Sequence, residues 1–150
     1  MSINNKSSRT NRAGFSLVEM LIVITIMGIL VGIASYGLNY INEARQKTTV
    51  ANLKAVKDAI DNYKRRTNQY PQRLQDLVRK PSTIESDRVW GGPYFGTKDE
   101  PEEVPQDSWG QDLEYKYVEG GHPPYKLYSW GENGPGSPES EWYYPSTKLG

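Results

Sequence analysis

Hydrophobic residues dominate one stretch near the start of the chain, from Phe15 to Leu38, and are spaced out along the remainder. About 22 residues in helical conformation extend roughly 33 Å, which is enough to cross the hydrocarbon core of a bilayer. A buried core helix is the alternative, but the rest of this short chain could hardly cover such a segment on every side. The pattern therefore predicts a membrane-spanning helix over residues 15–38.

Beyond residue 38 the apolar positions recur mostly at three- and four-residue steps. They are Ile41, Val50, Leu53, Val56, Ile60 and Tyr63, with charged residues between them. This spacing predicts an amphipathic helix over residues 39–66. Since no proline precedes Pro71, we predict one helix from residue 15 to residue 66. Two helices separated near Gly37 to Asn42, where Gly, Asn and Tyr cluster, are the alternative.

The sequence of residues 67–150 predicts a small globular head outside the membrane. Pro71 ends the long helix, because proline disfavours helical conformation in the residue before it. A short second helix is expected over residues 73–79, followed by loops rich in proline and glycine. Alternating apolar and polar positions predict two strands that form a hairpin, over 113–118 and 125–130. The fold class is therefore α+β.

Most aromatic residues lie at or after Tyr63. In a small domain with few aliphatic residues, these rings supply much of the area that folding buries, so we expect them to form the core of the head. An aromatic-lined ligand groove is the alternative.

The first fourteen residues form a basic leader. They include Lys6, Arg9 and Arg12 and no acidic residue, and the next basic residue after the apolar stretch is Arg45. The positive-inside rule places this end in the cytoplasm and the head on the other side of the membrane. The small residue Gly14 precedes the apolar stretch, so cleavage there would leave the anchor attached, unlike cleavage of an ordinary secretory signal.

Glu19 is the only ionisable residue between Phe15 and Glu43. A charge at the centre of a membrane helix costs about 2.5–3.5 kcal/mol on insertion scales, so an acid within a span predicts a function and a partner. If the chain begins at Phe15, the nearest cation is the α-amino group, either its own or that of a neighbouring copy. The alternative is that Glu19 is hydrated near the interface and only stabilises the first helical turn.

The segment Gly14-Phe15-Ser16-Leu17-Val18-Glu19-Met20 and the apolar run after it resemble the N-terminal signal of type IV pilins and type II secretion pseudopilins. This resemblance implies a type IV pilin-like fold, cleavage after Gly14 by a membrane prepilin peptidase, and N-methylation of Phe15. It also implies that Glu19 pairs with the Phe15 amine of an adjacent subunit during filament assembly.

Later segments are similar to the major pseudopilins of type II secretion: residues 68–71, 104–110 and 127–134, the last reading LYSWGENG. This similarity implies a structural subunit of a periplasmic filament, with other pseudopilins and an inner-membrane secretion platform as partners, and no enzymatic activity. A type IV pilin for adhesion, motility or DNA uptake is the first alternative. A monomeric, membrane-anchored periplasmic binding domain is the second.

The same resemblance implies a calcium ion in the C-terminal loop, where the family uses an Asp and this chain has Asn133. The residues expected to supply oxygen ligands are Leu127, Ser129, Asn133 and Glu141, because calcium binds carboxylate and carbonyl oxygens. The alternative is a solvated loop that the rings of residues 142–144 hold closed.

Composition excludes several other functions. Basic and acidic side chains number 18 each, so the chain has no excess positive charge for nucleic acid. It contains no Cys and a single His, His122, which rules out disulfides, thiolate zinc sites and a cysteine nucleophile. We expect His122 to be an exposed loop residue.

Overall fold

The computed structural model describes residues 16–149, except for the side chains of residues 34–39. The chain divides into two units, with the boundary between Tyr40 and Ile41. The elements in chain order are α1 (Leu17–Thr67), a 3-10 helix (Leu74–Leu77), α2 (Asp87–Trp90), β1 (Glu114–Tyr117), β2 (Tyr125–Tyr128) and a second 3-10 helix (Glu139–Glu141). The predicted α+β class is confirmed, and the arrangement is that of the type IV pilin-like fold.

Helix α1 is continuous from Leu17 to Thr67, so the prediction of one helix is confirmed and the alternative of two helices is wrong. Three basic residues, Lys64 to Arg66, lie in its last turn, where they interact favourably with the negative end of the helix dipole. The helix stops at Asn68, which has a φ of 56°. Asparagine tolerates this left-handed conformation better than most residues, and the conformation cannot continue a right-handed helix.

In the first unit, the large apolar side chains of α1 are exposed along the described length, from Leu17 at 77% to Ile33 at 64%. Within the described residues, no helix combines the length and the apolar character needed to cross a membrane. The predicted span over residues 15–38 also includes Phe15 and side chains that lie outside that description, and it stays a prediction.

The second unit has a hydrophobic core built on one face of α1. Its buried members are Leu53, Val56, Ala59, Ile60, Tyr63, Leu74, Leu77, Trp90, Leu113 and Leu127. Several tyrosines pack around this cluster, as expected from the aromatic content of the head. Ile41 was predicted on the buried face but is 48% exposed, because burial along α1 begins only at Thr49.

Strands β1 and β2 form an antiparallel pair that brings Tyr115 opposite Leu127. Both predicted strands are confirmed, with shorter bounds than the alternation indicated. Leu127 is buried in the core, and the Tyr115 hydroxyl donates a hydrogen bond of 2.7 Å to the carbonyl oxygen of Pro71. This bond attaches the hairpin to the segment that follows α1.

The helix predicted over residues 73–79 is wrong in length and type, since only a 3-10 turn forms there. The buried carboxylate of Asp76 caps the start of this turn, because its Oδ2 accepts hydrogen bonds from the backbone N–H groups of Gln72 and Arg73. At the other end the backbone N–H of Val78 donates to the carbonyl oxygen of Gln75, three residues back, which is the spacing of a 3-10 helix.

Helix α2 was not predicted, because the segment around it reads as loop. Ser86 caps its start by accepting a hydrogen bond from the backbone N–H of Arg88, and Gly91 ends it with a φ of 69°. The indole N–H of Trp90 donates to the carbonyl oxygen of Asp76 at 2.9 Å. The short helix thus serves to place one buried ring in the core.

Truncating a buried isoleucine of α1 should destabilise the head. We expect Ile60→Ala to lower the free energy of unfolding by about 2–5 kcal/mol, because Ile60 is fully buried and its removal leaves a cavity. The measurement is urea unfolding of the full chain in mild detergent, followed by tryptophan fluorescence.

Ile41→Ala is the matched control, since it is the same substitution on the same helix at an exposed position. It should change the unfolding free energy by no more than about 0.5 kcal/mol. Equal losses for the two variants would show that the core does not lie on this face.

Candidate functional site

The first described residues belong to the segment that the sequence predicts for assembly. Ser16 precedes α1, and its hydroxyl accepts a hydrogen bond of 3.3 Å from the backbone N–H of Val18, which satisfies one free donor of the first turn. Glu19 lies in that first turn and is exposed. The predicted cleavage site, Gly14 and Phe15, lies outside the described residues.

Glu19 is a single carboxylate on an apolar helix surface. Among residues 16–149, no basic side chain forms an ion pair with it. Thr25, a polar residue of the same apolar run, donates its hydroxyl to the carbonyl oxygen of Leu21, so its hydrogen bond is made within the helix. Over residues 17–33, the apolar part of α1 therefore presents one negative group without a cation from the described part of its own chain.

Two glycines, Gly28 and Gly32, lie on the apolar part of the same helix. A Cβ atom placed on Gly28 or Gly32 would meet no atom within 4 Å. Because residues four apart lie on the same helix face, the two glycines together form a shallow groove in the apolar surface. Small residues at this spacing let a second helix approach closely.

A buried carboxylate, Asp107, organises the second candidate region, the C-terminal loop of residues 129–144. Its Oδ1 accepts hydrogen bonds of 2.9 Å from the backbone N–H groups of both Trp109 and Gln111. Its Oδ2 accepts a hydrogen bond of 2.7 Å from the Ser129 hydroxyl. Three donors hold a charge that is only 6% exposed, and they connect the loop to the segment before β1.

Sequence reasoning assigned no role to Asp107. The local signal is present, since Asp followed by Ser-Trp-Gly is typical of a turn in which the carboxylate binds nearby N–H groups. The bond to Ser129 spans 22 residues and cannot be read from any local pattern. The side chain of Gln111 extends the connection by donating to the carbonyl oxygen of Gly131 at 3.2 Å.

The predicted calcium ligands are only partly brought together. Asn133 and Glu141 are both exposed, and the Asn133 Nδ2 donates to the Glu141 Oε2 at 2.7 Å. Ser129 is fully buried, and its backbone N–H and carbonyl both form hydrogen bonds with Tyr143. Leu127 pairs in the β ladder with Tyr115.

This set of donors fits a calcium ion poorly. Calcium takes six to eight oxygen ligands, whereas here one carboxylate is bonded to an amide N–H and the Ser129 carbonyl accepts from Tyr143. Across residues 16–149, no group of three or more His, Cys, Asp or Glu side chains is placed to hold a metal. Calcium binding stays a prediction of the resemblance.

Four rings cover the C-terminal loop. Trp142 stacks on Tyr128 with 4.4 Å between ring centroids and meets Trp130 edge-on at 4.7 Å. The Tyr144 hydroxyl donates to the Glu139 carboxylate at 2.8 Å. Burial, with this hydrogen bond as a second cause, raises the pKa of Tyr144 to about 12. The rings thus pack over the loop as the alternative reading of the sequence expected.

His122 is exposed in the loop between β1 and β2, as predicted. No described nucleophile or carboxylate forms a hydrogen bond with it among residues 16–149. His122 therefore gives no candidate site, and the candidate regions remain the first turn of α1 and the C-terminal loop.

Two known families match this chain, one over most of its length and one over its N-terminal segment. Residues 37–141 match the family described as type II secretion system (T2SS), protein G. Residues 9–35, which include Gly14, Phe15 and Glu19, match the prokaryotic N-terminal methylation motif.

Individual relatives are similar over most of their length. The type II secretion system core protein G of Xanthomonas campestris pv. campestris is 32% identical over 134 residues, covering 89% of this chain and 87% of the relative. The protein of the same description from Klebsiella michiganensis is 36% identical over 132 residues, and that from Pseudomonas aeruginosa is 30% identical over 130 residues. Each of these two covers 84% of this chain and 87% of the relative. This chain belongs to the type II secretion system protein G family.

Proposed function

We propose that this chain is the structural subunit of a periplasmic pseudopilus that drives protein export by type II secretion, and that it assembles through its N-terminal helix. Family membership supports the secretion role. The observation that carries the assembly mechanism is the exposed apolar surface of α1 with Glu19 in its first turn. The chain acts mechanically rather than as an enzyme, together with other pseudopilins and an inner-membrane platform.

The apolar surface of α1 requires a non-aqueous environment. Side chains such as Ile24 at 61% and Val31 at 67% exposure would each cost free energy in water, at about 25 cal/mol per Å². Before assembly, lipid covers this surface, with the chain crossing the inner membrane once. The basic leader holds the N-terminus in the cytoplasm, and the head lies in the periplasm. In the filament, helices of neighbouring copies replace the lipid.

Exchange of lipid for protein does not supply a hydrophobic driving force, since lipid tails are as apolar as leucine. Association must come from close packing and from polar pairs. The shallow groove at Gly28 and Gly32 permits close packing of a second helix, and Glu19 supplies one member of a polar pair. The other half is the Phe15 amine of an adjacent copy, which becomes available once the leader is removed.

Processing creates this amine. A prepilin peptidase cuts after Gly14, and methylation of Phe15 follows, as the match to the methylation motif supports. In the proposed filament the Phe15 amine of one copy lies level with Glu19 of its neighbour, so the pair also sets the stagger between copies.

Removing the Glu19 charge should abolish assembly without affecting insertion. We expect Glu19→Gln and Glu19→Ala to remain in the membrane fraction and to give at least about tenfold fewer cross-linked dimers, since loss of about 1.4 kcal/mol per contact is a factor of ten. A cysteine introduced at Leu30 reports the contact, because the chain contains no other thiol.

Glu43→Ala is the matched control. Glu43 is also an exposed acid of α1, but it lies beyond the apolar run and pairs with Lys47 at 2.5 Å. Its removal should leave the yield of cross-linked dimers unchanged. A normal yield of dimers from Glu19→Gln would contradict the pairing mechanism.

The mature protein should start with a methylated Phe15. Intact-mass spectrometry of the chain from a cell that carries the secretion machinery should show loss of residues 1–14 and a gain of one methyl group. Gly14→Glu should keep the leader, because a bulky charge replaces the small residue at the cut. An intact N-terminus at Met1 in the unaltered chain, or a start elsewhere than Phe15, would contradict this processing.

A further inference from the structure

Asn133 and Glu141, the two side chains that the resemblance assigns to a calcium ion, contact each other directly. The amide of Asn133 donates to the carboxylate of Glu141 at 2.7 Å. A hydrogen bond this short to an ionised acceptor is among the stronger kinds in proteins. Asn133 occupies the position at which the resemblance expects Asp.

Asn instead of Asp at position 133 changes which partner the Glu141 carboxylate requires. Two carboxylates at such a distance repel each other, and a cation between them removes the repulsion. An amide carries no charge and supplies its own N–H donors to the carboxylate that remains. The bond that closes the loop can therefore form from the side chains alone.

Several main-chain oxygens of the loop accept hydrogen bonds from protein donors. The carbonyl oxygen of Ser129 accepts from the backbone N–H of Tyr143, and that of Trp130 accepts from the Ser137 hydroxyl. Ser137 in turn accepts at its carbonyl oxygen from the Trp142 indole N–H, at 2.9 Å. These bonds fix the path of the loop from its first residue to its last turn.

Both ends of the loop are also anchored to the rest of the head. Ser129 is bonded to buried Asp107, and Trp142 is stacked on Tyr128. The middle of the loop, residues 132–141, is exposed at most positions, and the bond between Asn133 and Glu141 is the side-chain link across it among the described contacts.

We propose that the Asn133–Glu141 hydrogen bond takes the place of the calcium ion in this chain, so that the C-terminal loop closes without metal. The proposal concerns the head alone and does not depend on the assembly mechanism. It gives the Asn at position 133 a role of its own, as the donor that replaces a cation.

The test compares thermal melting of the full chain in mild detergent, in the presence of a calcium chelator, of calcium chloride or of magnesium chloride. Tryptophan fluorescence is the readout, because Trp130 and Trp142 report on this loop. We expect the Tm of the unaltered chain to be the same in all three conditions. A rise in its Tm with calcium would overturn the proposal, since the ion would then be bound by the loop as it is.

Asn133→Asp should make the head depend on calcium. In chelator this variant should melt below the unaltered chain, because it puts two carboxylates together. Calcium at about a hundred times its dissociation constant should raise its Tm by roughly 5–10 °C, and magnesium should do so much less, since it dehydrates reluctantly and demands octahedral geometry. A variant that melts like the unaltered chain and ignores calcium would overturn the proposal.

The double variant Asn133→Asp with Glu141→Gln is the matched control. It reverses the direction of the hydrogen bond, with the amide now at position 141 and a single carboxylate at position 133. Its Tm in chelator should recover towards that of the unaltered chain and should not respond to calcium. If it stays as unstable as Asn133→Asp alone, the contact between the two side chains is not what closes the loop.

Discussion

Glu19 carries the one charge on the apolar surface of α1, and a charge in such a place is stable only with water or with a partner. The described part of the chain offers no cation to it. The surrounding side chains suit lipid and a second helix equally well, so they cannot by themselves decide between a solitary anchor and a polymer. In the proposed assembly the carboxylate favours the polymer, because the amine of a neighbouring copy reaches it there. The proposed cleavage after Gly14 and the proposed stagger between copies both serve this pairing.

The head must remain folded with few aliphatic residues and no disulfides. One face of α1 and four leucines from later segments supply the aliphatic core, and tyrosine and tryptophan rings pack around it. Buried polar groups hold the irregular segments: Asp76 shapes the turn after α1, and Asp107 connects the C-terminal loop to the chain before β1. Each buried carboxylate has several donors, as its desolvation requires.

Much of the fold could be predicted because its signals are local. The apolar run, the spacing from Val50 to Tyr63 and the alternation in β1 and β2 each reflect one periodicity, and α1 and the hairpin formed where predicted. The predictions failed where contacts between residues distant in sequence determine the structure. Ile41 has the right spacing but lies before the buried positions begin, and the segment predicted as a helix over residues 73–79 forms only a 3-10 turn over Leu74–Leu77. The bond from Ser129 to Asp107, and the one between Asn133 and Glu141, depend on how loops meet in space.

The most direct measurement of the pairing is a distance between copies in the assembled filament. Solid-state NMR on filaments grown from a mixture of copies labelled only with nitrogen-15 and copies labelled only with carbon-13 detects contacts between subunits and none within one. A signal that connects the Phe15 amine of one copy with the Glu19 carboxyl carbon of another, at the roughly 4 Å of an ion pair, is the predicted result. Well-ordered filaments in which that signal is missing, while other contacts between neighbouring α1 helices are seen, would contradict it.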